Sequence, residues 1–180
     1  MKLLQKLKFA PSSNTTQKQN NTNGSSIYTI AINSLDGRPI ELSDFKGKNI
    51  LFVNVASKCG FTPQYKELQK LQDTYTENLI VIGLPCNQFG GQEPQEAEQI
   101  QSFCERNFGI TFLLTEKIHV KGSKQHPLYA WLTKKDSNRK STSSVKWNFQ
   151  KYLIDDKGEL IDFFYSTTKP NSSKITKHLK

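Results

Sequence analysis

Cys59 stands where an apolar, β-branched run, Ile50 to Ala56, gives way to small and polar residues, four positions before Pro63. A cysteine just past the carboxyl end of a buried strand and just before a helix sits at the sheet edge where open α/β folds do their chemistry. The helix amino terminus carries about half a positive charge, and turn N–H groups can donate to sulfur. Both favour thiolate over thiol and bring the pKa below the free value of about 8.5. Position alone leaves two readings open, a reactive thiolate and a small buried hydrophobe. A cysteine hydrolase would need a histidine base, and none of His119, His126 and His178 falls near a second strand end. Peroxide reduction asks for less: thiolate attack on one oxygen, donors for the developing charge and a proton for the leaving oxygen. Its product is a sulfenic acid.

Two distant stretches carry suitable donors. Asn87-Gln88-Phe89-Gly90-Gly91-Gln92 follows a second apolar run, Leu79 to Leu84. Val145-Lys146-Trp147-Asn148-Phe149 follows a polar segment near residue 140. An indole supplies one N–H and a carboxamide two. Each stretch also reads as a plain structural feature, a Gly-rich turn in the first case and a core Trp beside a turn Asn in the second. The three cysteines, Cys59, Cys86 and Cys104, include no C-x-x-C pair, and the three histidines are scattered, so neither a zinc site nor a disulfide scaffold is expected. Nothing in the sequence calls for a metal, haem or flavin.

The elements that position these residues follow from periodicity. Ile50 to Ala56 and Leu79 to Leu84 are near-continuous apolar runs of strands buried on both faces. Between them, Tyr65, Leu68, Leu71 and Tyr75 recur at helical spacing after Pro63. Strand, helix and strand make a right-handed βαβ unit with parallel strands, which brings the 87–92 loop to the edge that carries Cys59. Pro94 restarts a helix whose apolar face is Ala97, Ile100, Cys104 and Phe108. HPLYAWL, from His126, reads as another helix. Ile27 to Ile32, Ile118 to Val120, Trp147 to Ile154 and Leu160 to Tyr165 read as further strands, the last two antiparallel across Asp156-Lys157-Gly158. The expectation is one α/β domain over 27–180, with a central mixed β-sheet flanked by helices. Residues 1–26, Asn/Ser/Thr-rich towards their end, are expected to be a disordered basic leader.

The formal net charge of +9 lies at the ends. Lys2, Lys6, Lys8 and Lys18, with Lys169, Lys174, Lys177 and Lys180, carry eight charges in segments without acids, leaving +1 for residues 27–164. No nucleic-acid groove is expected of a nearly neutral body. No apolar run approaches the roughly 20 residues of a membrane span, and MKLLQKLKFA makes a poor signal peptide. A cytoplasmic location is the expectation, with an extracytoplasmic one open.

VNVASKCGFTPQY, LPCNQFGGQEP and VKWNFQKYLID together resemble the three signature blocks of the glutathione peroxidase family, in the family's order, within a similarity running from about Ile27 to Pro170. The version resembled uses cysteine where some animal members use selenocysteine. The resemblance implies a thioredoxin-like fold, Cys59 as peroxidatic residue, and Gln92, Trp147 and Asn148 as the catalytic amide and indole positions. Gln92 of GGQEP is meant, not Gln88 of NQF. It further implies a thiol peroxidase acting on hydrogen peroxide and organic or lipid hydroperoxides. The short connection from Ala130 to Lys146 resembles the monomeric, thioredoxin-dependent members, with glutathione the second choice of reductant. Such members use a resolving cysteine on the helix after GGQEP in an F-x-C pattern. Here Cys104 follows Phe103 at once and is expected on the apolar helix face. Resolution by Cys104, by Cys86, or by an external thiol in a one-cysteine cycle all remain open. The alternative of another class is a thioredoxin-fold redox sensor that passes oxidising equivalents to a partner protein.

Overall fold

The computed structural model describes residues 25–179. Its centre is a five-stranded sheet in the order β3-β2-β1-β4-β5, with β1 at Asn49–Val55, β2 at Leu79–Pro85, β3 at Leu113–Leu114, β4 at Lys151–Ile154 and β5 at Leu160–Phe164. β1, β2 and β3 run parallel, and β4 pairs antiparallel with both β1 and β5. The helices are α1 (Gln64–Thr74), α2 (Ala97–Phe108) and α3 (Pro127–Thr133), followed by single turns α4 (Lys135–Asn138) and α5 (Ser173–Thr176). The expected βαβ unit is therefore present as β1-α1-β2, within a mixed α/β sheet.

β1 is the central strand and both faces of the sheet are covered by helices, which is why its side chains are buried on both faces from Ile50 to Val55. Leu51, Val53 and Val55 face Leu68 and Leu71 of α1 and Ile100 and Cys104 of α2 in one apolar cluster. Ile50 and Phe52 face Leu128, Tyr129 and Leu132 of α3 in the other. α2 begins where the Glu96 N–H donates to Gln99 Oε1 at 3.3 Å and ends at Gly109, whose φ of 62° is the left-handed turn glycine favours. Among the described residues no helix is long and apolar enough to cross a membrane.

Three expected strands differ. Ile27 to Ile32 forms a 3₁₀ turn, Ile27–Thr29, capped by Ser26, after which the chain makes only isolated bridges at Asn33 and Ser34. Ile27 and Ile32 bury against the α3 side of the sheet rather than pairing with an edge. Ile118 to Val120 is irregular because its N–H groups find other acceptors: Ile118 donates to the Pro85 carbonyl at 3.0 Å and Val120 to Gln88 Oε1 at 2.6 Å. The strand expected from Trp147 begins only at Lys151, because Phe149 turns through a φ of +63°. The leader falls outside the described residues except for Ser25 and Ser26. The Ser25 carbonyl accepts from Trp131 Nε1 at 2.7 Å.

β4 carries an exception to the apolar rule. Alternation puts Lys151 on the same face as Leu153, in the layer under α1, where it is fully buried. Burial brings its amine down to about 7, against a smaller upward pull from Glu67. The folded protein therefore releases this proton above about pH 7, while the unfolded chain holds it to about 10.4, so unfolded chains bind more protons in that window and stability rises with pH. Between pH 7 and 9 the wild type is expected to gain stability over Lys151→Met by up to about 1.4 kcal/mol per pH unit. Urea denaturation at pH 7, 8 and 9 measures this, and parallel profiles for the two proteins would contradict a titrating buried amine.

Candidate active site

The turn between β1 and α1 is stapled by one threonine. The Cys59 N–H donates to Thr62 Oγ1 at 3.0 Å, and the Thr62 hydroxyl donates to the Ala56 carbonyl at 2.8 Å. Within this turn the Phe61 N–H donates to Cys59 Sγ at 3.4 Å. Cys59 is 8% exposed, so its sulfur sits at the edge of the apolar cluster and not out on the surface.

The loop after β2 returns to this turn. Gly90 and Gly91 have φ of 65° and 63°, two left-handed residues in succession, which side chains bearing a Cβ resist. The reversal lets the Lys58 N–H donate to the Gln92 carbonyl at 3.0 Å and the Ser57 hydroxyl donate to Glu93 Oε1 at 2.6 Å. The Glu93 N–H in turn donates to Asn87 Oδ1 at 2.8 Å. Burial raises the Glu93 carboxyl above its ordinary range, with the Ser57 hydrogen bonds pulling the other way. Gln88 points elsewhere: its carboxamide accepts from the Val120 and Lys121 N–H groups and donates to the Lys121 carbonyl. The two glutamines of the loop thus have different partners.

The third segment is held by β1 itself. Asn54 Nδ2 donates to the Trp147 carbonyl at 3.0 Å, Asn54 Oδ1 accepts from the Gln150 N–H at 3.1 Å, and the Phe149 N–H donates to the Asn54 carbonyl at 2.6 Å. This seats Asn148 at the end of β1, fully buried. Asn148 Nδ2 donates to Gln92 Oε1 at 2.9 Å, which leaves Nε2 as the donor end of the Gln92 carboxamide outside the pair. Asn148 Oδ1 is buried without a hydrogen-bond partner. Trp147, 39% exposed, lies with its ring 5.7 Å from that of Phe89, over which Lys121 Nζ sits at 4.3 Å.

Of the four expected site residues, Gln92 and Asn148 touch directly, and Gln92 is bonded through its backbone to the residue preceding Cys59. Trp147 adjoins Asn148 in the chain and packs on the Gln92 loop through Phe89. The other two cysteines are free and buried. Cys104 packs in the cluster that contains Cys59, and burial pushes its thiol up to about 11. Cys86 packs on the opposite side of the sheet, where burial also raises it. The turn that carries Cys59 is thus tied through the Lys58 N–H to the loop whose Gln92 carboxamide pairs with Asn148, both of them neutral hydrogen-bonding groups. Among the described residues no group of three or more His, Cys, Asp and Glu side chains could hold a metal ion.

Thr62, Asn54, Ser57 and Glu93 build the site and do not stand out by spacing. Asn54 carried a signal, a carboxamide inside an otherwise apolar strand, which must find hydrogen bonds somewhere.

A family model described as glutathione peroxidase matches residues 27–133. The chain is 46% identical over 153 residues to glutathione peroxidase-like peroxiredoxin HYR1 of Saccharomyces cerevisiae, covering 84% of this chain and 94% of that one. It is 43% identical over 162 residues to hydroperoxy fatty acid reductase gpx1 of Synechocystis, covering 87% and 94%. The crystal structure of T. cruzi GPX1 superposes with a TM-score of 0.66 at 34% identity, covering 86% and 94%. A thioredoxin-family thiol:disulfide interchange protein of Chlorobium tepidum, at 12% identity and TM-score 0.62 over 87% and 97%, shares the fold alone. The expected thioredoxin-like fold is the one observed.

Burial separates the three thiols in reactivity. A Cys104 thiol titrating at about 11 is ionised to only about one part in a thousand at pH 8, and its side chain is fully buried. Iodoacetamide at pH 8 is expected to modify Cys59 before Cys86 and Cys104, as read by peptide mass spectrometry over time. Equal labelling of Cys104 and Cys59 in the folded, reduced protein would contradict this order.

Proposed function

The chain belongs to the glutathione peroxidase family, and from that membership we propose a thiol peroxidase in which Cys59 attacks hydroperoxides while Gln92, Trp147 and Asn148 orient them. One observation carries the assignment of residues. The part-buried Gln92–Asn148 carboxamide pair is tied to the Cys59 turn through Lys58 and retains an unpartnered acceptor at Asn148 Oδ1. A hydroperoxide O–H would satisfy that acceptor once the half-buried Gln92 loop shifts to uncover it. The Gln92 Nε2 and Trp147 indole donors would then serve the oxygens as charge develops, each well-placed donor contributing about 2.7–4 kcal/mol by analogy with an oxyanion hole.

The Cys59 thiolate attacks one peroxide oxygen. The S–O bond forms as the O–O bond breaks, and the leaving oxygen takes a proton and departs as water or alcohol. Sulfur is oxidised to sulfenic acid and the peroxide is reduced by two electrons. The name of the Synechocystis relative supports fatty acid hydroperoxides among the substrates. A thiol then condenses with the sulfenic acid, releasing water and leaving a disulfide. We assign the internal resolving thiol to Cys104, because it shares the apolar cluster of Cys59, whereas Cys86 packs across the sheet. Both cysteines are free and Cys104 is fully buried on α2, so we infer that α2 opens locally to bring the sulfurs to disulfide geometry. Thioredoxin, a dithiol protein, is the reductant that suits an internal disulfide, with glutathione second. The short Ala130–Lys146 connection supports a chain that works as a monomer.

Cys59→Ser is expected to lower hydroperoxide turnover with thioredoxin, thioredoxin reductase and NADPH by at least about a thousandfold. Wild type should consume many peroxide equivalents per chain in the same assay. Consumption of one equivalent only would point to a sensor that hands its oxidation to a partner. After one equivalent of peroxide, intact-mass and peptide analysis should find a Cys59–Cys104 disulfide that is lost in Cys104→Ser. A persistent sulfenic acid in wild type would instead establish the one-cysteine cycle.

A further inference from the structure

The turn that presents Asn148 is held from below by a buried ring of side chains. Lys151 Nζ donates to the Phe149 carbonyl at 2.7 Å and to Gln64 Oε1, in the first turn of α1, at 2.6 Å. Gln64 Nε2 donates to the Ser166 carbonyl at 2.7 Å, and the Ser166 hydroxyl donates to the Asn148 carbonyl at 2.5 Å. The Asn148–Phe149 peptide closes the ring. Lys151, Gln64 and Ser166 are all buried, as are Asn148 and Phe149.

We propose that Lys151, with Gln64 and Ser166, is a positioning residue for peroxide reduction, clamping the strained Asn148–Phe149 turn so that the Asn148 carboxamide is held against Gln92. Phe149 has a φ of +63°, a left-handed conformation that bulky side chains adopt only when their surroundings enforce it. Relaxing it would swing the preceding residue, and a displacement of about 1 Å at a reacting group can cost a hundredfold in rate. The carbonyls of Trp147, Asn148 and Phe149 each accept from a different side chain, Asn54, Ser166 and Lys151. Asn54 anchors the turn to the sheet. The lysine ring anchors it to α1, the helix that follows Cys59, and so couples the cysteine and carboxamide halves of the site.

An apolar residue would satisfy the packing at position 151 without the expense of desolvating an amine. The clamp also works in either protonation state. The amine has two hydrogen-bond acceptors, and a neutral –NH₂ still has two N–H groups, one for each. Glu67 lies one helical turn beyond Gln64 and exerts an upward pull on the Lys151 amine.

The inference rests on the proposed role of Asn148, and its test separates the two. The second-order rate constant for Cys59 oxidation by hydrogen peroxide is measured per folded chain in single turnover. Asn148→Ala, Lys151→Met and Ser166→Ala are compared singly, and the latter two again in the Asn148→Ala background. Lys151→Met and Ser166→Ala are each expected to slow oxidation about tenfold alone, and less than about twofold once Asn148 is already alanine. A residue that only supported stability would change the unfolding midpoint but not this coupling. Wild-type rates in both variants beside a slow Asn148→Ala, or an undiminished tenfold loss in the Asn148→Ala background, would overturn the clamp alone. A wild-type rate in Asn148→Ala would remove the role of Asn148 and the clamp with it. Should Lys151→Met fail to fold, Ser166→Ala decides by the same criteria, because it deletes a single hydroxyl from the ring.

Discussion

Asn54 is a carboxamide buried in the middle strand of an apolar sheet, and an unsatisfied group of that kind costs about 1–3 kcal/mol. Among the described residues it is satisfied by the 147–150 turn, where Nδ2 meets the Trp147 carbonyl and Oδ1 the Gln150 N–H. That requirement joins the sheet centre to a segment more than ninety residues away. It also explains why β4 begins late. The Trp147 carbonyl and the Gln150 N–H are taken by the Asn54 side chain and the Phe149 N–H by its backbone carbonyl, and the chain turns through Phe149 instead of extending. This contact is one of the anchors of the turn that carries Asn148 to Gln92.

The Gln92–Asn148 carboxamide pair is neutral, and the ionisable groups buried in the same body are pushed towards their neutral forms. Burial raises the Glu93 carboxyl and the Cys104 thiol and lowers the Lys151 amine. These three shifts have one cause, the low polarity of the layer between the sheet and α1–α2. In the proposed mechanism a neutral surrounding would give peroxide reduction oriented dipoles as charge develops on the leaving oxygen. It also makes Cys104 a poor nucleophile while it is packed. Local opening of α2 would expose the thiol and lift the desolvation that holds its proton, so one motion would supply both access and reactivity.

Most of the architecture was legible in periodicity. The two apolar runs, Ile50 to Ala56 and Leu79 to Leu84, are strands because strands buried on both faces need unbroken apolar residues. The spacing of Tyr65, Leu68 and Leu71 likewise marks the buried face of α1. Short elements misled the pattern. Ile118 to Val120 has strand-like residues, yet its N–H groups bond to the carbonyl of Pro85 at the end of β2 and to the Gln88 carboxamide, which no local window contains. Ile27 to Ile32 alternates as a strand does, but alternation records which side chains are buried and not whether a partner strand lies alongside.

The same division holds for the site. Local signals, a β-branched run and a helix-starting proline, place Cys59 at a strand end before a helix, and glycines and a Trp-Asn pair mark the two donor-bearing loops. Long-range contacts alone establish that the carboxamides of Gln92 and Asn148 form one pair, that Gln88 turns away, and that Lys151 lies buried under the turn. Those outcomes depend on hydrogen bonds between segments tens of residues apart, and a bond of that kind leaves no period in the chain that makes it.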